Sequence, residues 1–264
     1  MALARCDFFS DVLGLSTSMT VVLPEATSAQ IGMTGTATGG DAPVLYLLHG
    51  LSDDDTIWLR RTSIERYAAP LGLAVVMPQV GRSFYTDEAH GNRYWTFLSE
   101  ELPAVVGSFF RVSDRREDTF VAGLSMGGYG ALKWALRQPD RFAAAASLSG
   151  AVDVAGLERL DHAEPDRQRL WHTVFGGRSP EGTDDDLFAL VDTVDPAVAP
   201  RLWIGCGTGD RLLAHNERLR DAVRASGIDV TEDFRPGEHE WGLWDDVIQD
   251  VLRWLPIGHG TTPG

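Results

Sequence analysis

Short, uninterrupted apolar runs recur along this chain, separated by longer stretches with a three-to-four-residue apolar rhythm. The runs at 43–48 (P-V-L-Y-L-L), 73–78 (L-A-V-V-M-P), 143–150 (A-A-A-A-S-L-S-G) and 201–205 (R-L-W-I-G) are too short for helices and lack polar alternation. Runs of that kind predict strands buried on both faces of a sheet. Residues 119–124 and 229–234 add two further strands, and residues 7–24 read as two early strands around a turn. Helical rhythm appears at 95–111, where Phe97, Leu98, Leu102, Val105, Val106, Phe109 and Phe110 form one stripe, and again after position 126, at 212–225 and at 243–255. Strand and helix in alternation predict a mostly parallel central sheet with helices on both faces, an α/β class. Ligands of such sheets sit at the carboxyl ends of the strands.

The rhythm breaks in two places. Residues 26–41 are small and turn-rich and predict a mobile loop or hairpin. Residues 151–200 fall between two sheet strands and contain two amphipathic pieces, 167–175 and 184–194. An insertion there predicts a cap over the strand ends, with Trp171 and Phe175 as candidates to line a substrate site. With no repeat and no linker, the expectation is a single domain over 1–264, ending in a frayed tail at 258–264.

The most informative stretch is 119–131, T-F-V-A-G-L-S-M-G-G-Y-G-A. A β-favouring run leads into G-x-S-x-G, and a strong helix former, A-L-K-W-A-L-R, follows. Strand, G-x-S-x-G and helix together form a nucleophile elbow, in which a sharp turn exposes Ser125. A serine hydroxyl needs a base within reach, and the base needs a partner that orients it. In the α/β-hydrolase arrangement the chain order is serine, acid, histidine. Of the seven histidines, His49 and His90 precede the serine, His162 and His172 lie in the insertion, His215 sits in a helix and His259 in the tail. His239 alone follows the last strand on a loop, and it is the candidate base. Asp210 follows the strand at 201–205 and is preferred as the acid over Asp153 and Asp195, because the glycines before it let the backbone turn inward. The amide of Met126, at the positive end of the helix, and that of Leu51, after the His49-Gly50 turn, are the candidate oxyanion donors. Trp241, on the His239 loop, joins the candidate substrate-lining residues. Asp53, Asp54 and Asp55 are expected to cap the helix that follows them rather than to hold a cation.

Composition narrows the partners. The 264 residues carry a net charge of −15, which repels nucleic acid and anionic membranes. Cys6 and Cys206 have neither metal-binding nor redox spacing. The N-terminus lacks a signal-like apolar core and no run reaches transmembrane length, so a cytoplasmic protein is expected. Lys133, the only lysine, reads as compositional bias.

Four tracts together carry a family resemblance: H-G-L-S-D-D-D-T-I-W-L-R-R-T-S-I-E-R, Y-W-T-F-L-S-E-E-L-P, G-L-S-M-G-G-Y-G-A-L-K and G-E-H-E-W-G-L-W. The chain resembles the esterase D / S-formylglutathione hydrolase-like family of α/β-hydrolases, especially its tributyrin-esterase branch of bacterial carboxylesterases. The resemblance implies an α/β-hydrolase fold, no cofactor and no metal, and hydrolysis of short acyl esters (acetyl to butyryl) through an acyl-serine. It assigns the triad to Ser125, Asp210 and His239 and the oxyanion amides to Leu51 and Met126, with a small acyl ester as partner and a possible homodimer. The family's formylglutathione hydrolases carry a histidine after the elbow glycines and a cysteine near the H-G-L loop. Here Tyr129 takes the first place and no cysteine the second, which favours an ester over the glutathione thioester. Sugar acetyl or feruloyl ester hydrolysis, acyl transfer of the mycolyltransferase type and binding without catalysis are the remaining readings.

Overall fold

The computed structural model describes residues 1–37, 39–160 and 164–258. Among the described residues eight strands form one sheet: β1 (Ala2–Ser10), β2 (Leu15–Leu23), β3 (Val44–Leu48), β4 (Ala74–Pro78), β5 (Thr119–Leu124), β6 (Ala144–Leu148), β7 (Arg201–Gly207) and β8 (Val230–Arg235). Their order is β1-β2-β4-β3-β5-β6-β7-β8. The two pairings made by β2 are antiparallel, and every pairing from β4 through β8 is parallel. This is the α/β-hydrolase fold, with the carboxyl ends of β3 to β8 on one edge.

Among the described residues ten α-helices accompany the sheet: α1 (Ile57–Arg61), α2 (Ile64–Ala68), α3 (Tyr94–Thr96), α4 (Leu102–Phe109), α5 (Met126–Arg137), α6 (Val154–Leu160), α7 (Pro165–Phe175), α8 (Leu187–Thr193), α9 (Leu213–Ser226) and α10 (Trp241–Trp254). The period of two along a strand sorts the core into two layers. Val44, Tyr46 and Leu48 of β3 pack with Val121 and with Leu132 of α5 on one face. Leu45 and Leu47 pack with Phe120, Ala122 and the Leu243, Val247 and Val251 stripe of α10 on the other. Helix α5 lies so deep that only Arg137 of its residues escapes burial.

Three expectations change in detail. The stripe at 95–111 is not one α-helix: α3 runs into a π-helical turn, Phe97–Glu101, before α4. Pro103 accounts for the widening, because it offers no N–H and its ring presses toward the carbonyl four residues back. The aspartates divide their work. Asp54 Oδ1 accepts the Thr56 N–H at 2.9 Å at the entrance to α1, whereas Asp55 turns away and accepts the Ser18 and Thr20 hydroxyls of β2 at 2.9 and 2.7 Å. The described residues of the 151–200 insertion hold three helices rather than two. The seven residues of α6, with a glycine inside them, are too short for a periodic signal, and Asp153 Oδ1 supports their first turn by accepting the Gly156 N–H at 2.9 Å. The tail expected at 258–264 and His162 lie, apart from Gly258, outside the described residues. No helix among the described residues is long and apolar enough to cross a membrane.

Candidate active site

Strand β5 delivers Ser125 at its carboxyl end, and α5 begins at the next residue. Between them Ser125 adopts φ 53° and ψ −117°, a strained left-handed conformation. The turn closes because Gly123 and Gly127 carry no side chain. A Cβ on Gly123 would lie 2.3 Å from the Gly127 carbonyl oxygen, and one on Gly127 would lie 2.4 Å from that of Leu48. Neighbouring backbone secures the turn from both sides: Ser125 N–H donates to the Leu148 carbonyl and Ala151 N–H to the Ser125 carbonyl, each at 2.9 Å.

The loops after β7 and β8 bring up the other two groups. Thr208 N–H donates to the Arg235 carbonyl, and Gly209 N–H to the Gly237 carbonyl, each at 2.9 Å. These ties set Asp210 beside His239. His239 Nδ1–H donates to Asp210 Oδ2 at 2.8 Å, and the Ser125 hydroxyl donates to His239 Nε2 at 3.0 Å. Burial alone would raise the Asp210 pKa. The hydrogen bonds from His239 and from the Leu212 N–H (2.9 Å to Oδ1) outweigh it and hold the carboxyl below its ordinary value. The carboxylate therefore stays charged beside the imidazole, which fixes the ring's tautomer and steadies it when it takes a proton. Trp244 meets the His239 ring edge-on, with centroids 4.9 Å apart.

The rival acids and bases have other partners. Asp153 faces Arg218 at 3.1 Å and His215 at 3.6 Å, and Asp195 accepts the Ala197 N–H at 2.9 Å. The His90 and His172 rings meet at a tilt, with centroids 4.7 Å apart. His49 is fully buried and stands behind the loop that ends β3.

Ser125, Met126, Leu51 and His239 border one cavity of about 830 Å³. Its aromatic walls are Phe84 and Trp171 on one side and Trp241 and Trp244 on the other. Trp241 meets Trp58 and Trp244 edge-on at 5.3 and 5.2 Å, which continues the wall inward. Phe175 is a correction. It packs behind Trp171, with rings stacked at 5.8 Å, and lines a separate cavity of about 230 Å³. The spacing of four puts Trp171 and Phe175 on one helix face, but only the first reaches the cavity beside Ser125. Phe84, Trp244, Arg82 and Arg211 line that cavity without having been marked in the sequence. Phe84 sits in the aromatic segment 81–94, and Trp244 follows Trp241 by three residues on a helix, so both left a faint signal.

A serine on a strained elbow, hydrogen-bonded to an imidazole that is held by a buried carboxylate, at the carboxyl edge of this sheet, defines a serine hydrolase of the α/β-hydrolase fold. The chain belongs to the putative esterase family, which it matches over residues 10–255, and it is a serine carboxylic ester hydrolase. It is 29% identical over 262 residues to an acetyl esterase of Caldicellulosiruptor saccharolyticus, covering 97% of this chain and 98% of that one. Two solved structures from Staphylococcus aureus are similar throughout. The fluorophosphonate-binding serine hydrolase FphF, with substrate bound, is 34% identical with a TM-score of 0.85. The S-formylglutathione hydrolase FrmB is 33% identical with a TM-score of 0.81, and each comparison covers 97% of this chain and 98% of the other. The resemblance to the esterase D / S-formylglutathione hydrolase-like family therefore extends over nearly the whole molecule.

Proposed function

We propose that this protein hydrolyses short-chain acyl esters, acetyl to butyryl, through an acyl-Ser125 intermediate. The observation that carries the reading is the unbroken relay of 3.0 Å from Ser125 Oγ to His239 Nε2 and 2.8 Å from His239 Nδ1 to Asp210 Oδ2. His239 Nε2 takes the hydroxyl proton as Ser125 Oγ bonds to the ester carbonyl carbon. The carbonyl oxygen becomes an oxyanion facing the Leu51 and Met126 amides. The same proton then passes to the departing alkoxide as the C–O bond breaks. Water, deprotonated by His239, repeats the sequence on the acyl-serine and frees the carboxylic acid. The similarity to an acetyl esterase supports a small acyl group, and Trp171 and Trp241 supply apolar walls for it.

The test is a ladder of p-nitrophenyl esters from acetate to palmitate, with Ser125→Ala in parallel. A maximum at acetate to butyrate that vanishes in the variant is expected. A maximum at palmitate, or activity that survives in the variant, overturns the proposal.

The likeness to FrmB favours a second reading, hydrolysis of a glutathione thioester, because the relay serves a thiolate leaving group as well as an alkoxide. Comparing kcat/KM for S-formylglutathione and p-nitrophenyl acetate separates the two. A homodimer and a cytoplasmic location complete the proposal, to be checked by light scattering and cell fractionation.

A further inference from the structure

Lys133 has no part in the proton relay, yet it is the only lysine and is fully buried. Its Nζ donates to the Tyr85 carbonyl and to Thr86 Oγ1, each at 2.9 Å, and pairs with the Asp185 carboxylate. One turn earlier on α5, the Tyr129 hydroxyl donates to the Asp185 carbonyl at 2.7 Å. Between these two residues, Gly130 makes room for the Tyr85 ring: a Cβ there would lie 2.4 Å from Cδ2. One face of α5 thus grips two separate segments, the loop around Tyr85 and the part of the 151–200 insertion around Asp185.

The gripped loop is strained. Phe84 and Tyr85 take φ of 50° and 52°, a left-handed backbone that bulky residues rarely adopt and that persists only where surrounding contacts impose it. The strained turn places Phe84 on the cavity wall, 4.7 Å from the Trp171 ring, and sends the Tyr85 hydroxyl inward to donate to the His49 carbonyl at 2.9 Å. That carbonyl belongs to the peptide joining His49 and Gly50. The next peptide carries the Gly50 carbonyl on one side and the Leu51 N–H on the other, and His49 Nδ1–H donates to that Gly50 carbonyl at 2.7 Å. The Tyr85 hydroxyl is therefore one of two side-chain contacts that set the peptide planes leading to the Leu51 amide.

We infer that Lys133 is a positioning residue for the oxyanion site: it holds Tyr85 against the His49 carbonyl and, through Asp185, makes the aim of the Leu51 amide depend on the seating of the 151–200 insertion. This rests on the proposed role of Leu51 as an oxyanion donor. Stability alone does not account for a lysine here, because a buried ion pair contributes little compared with apolar residues of the same shape.

Three full-length variants and one combination of them test it. Tyr85→Phe keeps the ring and removes the hydroxyl, Lys133→Met with Asp185→Asn removes both charges together, and Ser125→Ala is the control. The readouts are kcat and KM for p-nitrophenyl acetate, inhibition by a trifluoromethyl ketone that forms an oxyanion on Ser125, and the thermal midpoint. We expect kcat to fall about tenfold, part of the roughly hundredfold attached to a whole oxyanion donor, with the ketone weakened in step. KM should stay within about twofold, as for a contact made only in the transition state. Combining Tyr85→Phe with the charge-free pair should add no further loss, since both act through one hydroxyl. A lowered thermal midpoint with kcat intact, or losses that multiply, overturns the inference. If Ser125→Ala is dead while Tyr85→Phe is unimpaired, the positioning role falls and the esterase reading stands. If Ser125→Ala stays active, both fall.

Discussion

The backbone N–H of Val80 donates to Nε2 of His49 at 3.2 Å. The ring nitrogen that accepts this bond carries no proton, so the other, Nδ1, is the donor to the Gly50 carbonyl at 2.7 Å. Burial lowers the His49 pKa despite the Gly50 contact and the nearby aspartates, which favours this neutral form. His49 thus holds the far side of the peptide whose N–H is offered at Leu51.

His49→Leu should leave a buried Val80 N–H unpaired, at about 1–3 kcal/mol of stability, and loosen the Gly50 peptide. kcat should fall more than KM rises. Steady-state kinetics with urea denaturation check both, and an unchanged kcat in folded protein would remove His49 from the positioning network.

Asp210→Asn should lower kcat by up to about 10⁴-fold, the scale seen when a triad acid becomes an amide and the wrong tautomer is favoured. The same variant tests linkage. Because the folded pKa of Asp210 is depressed, its contribution to stability is present above the ordinary carboxylate value and is lost as pH falls through the folded one. Below about pH 4, the ordinary carboxylate value, wild type should lose stability more steeply than Asp210→Asn, measured as thermal midpoint against pH.

Lys133 gives a slope of the same sign in a more alkaline window. Burial outweighs Asp185 and lowers its pKa to about 8. Between that value and the ordinary lysine value of about 10.4, the unfolded chain holds a proton that the folded chain has released. Stability from this group therefore rises with pH across that window. The thermal midpoint of wild type relative to Lys133→Met should increase from pH 7 to pH 10, and a flat difference would contradict the lowered pKa.

Trp171 and Phe175 should separate cleanly. Trp171→Ala removes a wall of the cavity and should raise KM for butyrate more than for acetate. Phe175→Ala should cost about 3–5 kcal/mol of stability by opening space behind Trp171. It should also leave the acyl-chain profile unchanged. Chain-length kinetics paired with thermal unfolding distinguish the two outcomes.

Much of this molecule was legible in one dimension because the constraints on it are local. The elbow announces itself because a strand that reverses into a helix over one residue must have glycine at 123 and 127, where any Cβ would strike backbone. The buried parallel strands read as unbroken apolar runs because both of their faces are covered, and the chain order of Ser125, Asp210 and His239 follows from the order of the strand ends they occupy. The tertiary structure decided what depends on distance in the fold rather than along the chain. It turned Phe175 into the layer behind Trp171, since helical spacing sets a face but not what that face meets. It also gave Lys133 a purpose that composition concealed, because Tyr85 and Asp185 lie 48 and 52 residues from it in sequence and reach its ammonium only when the loop and the insertion close over α5.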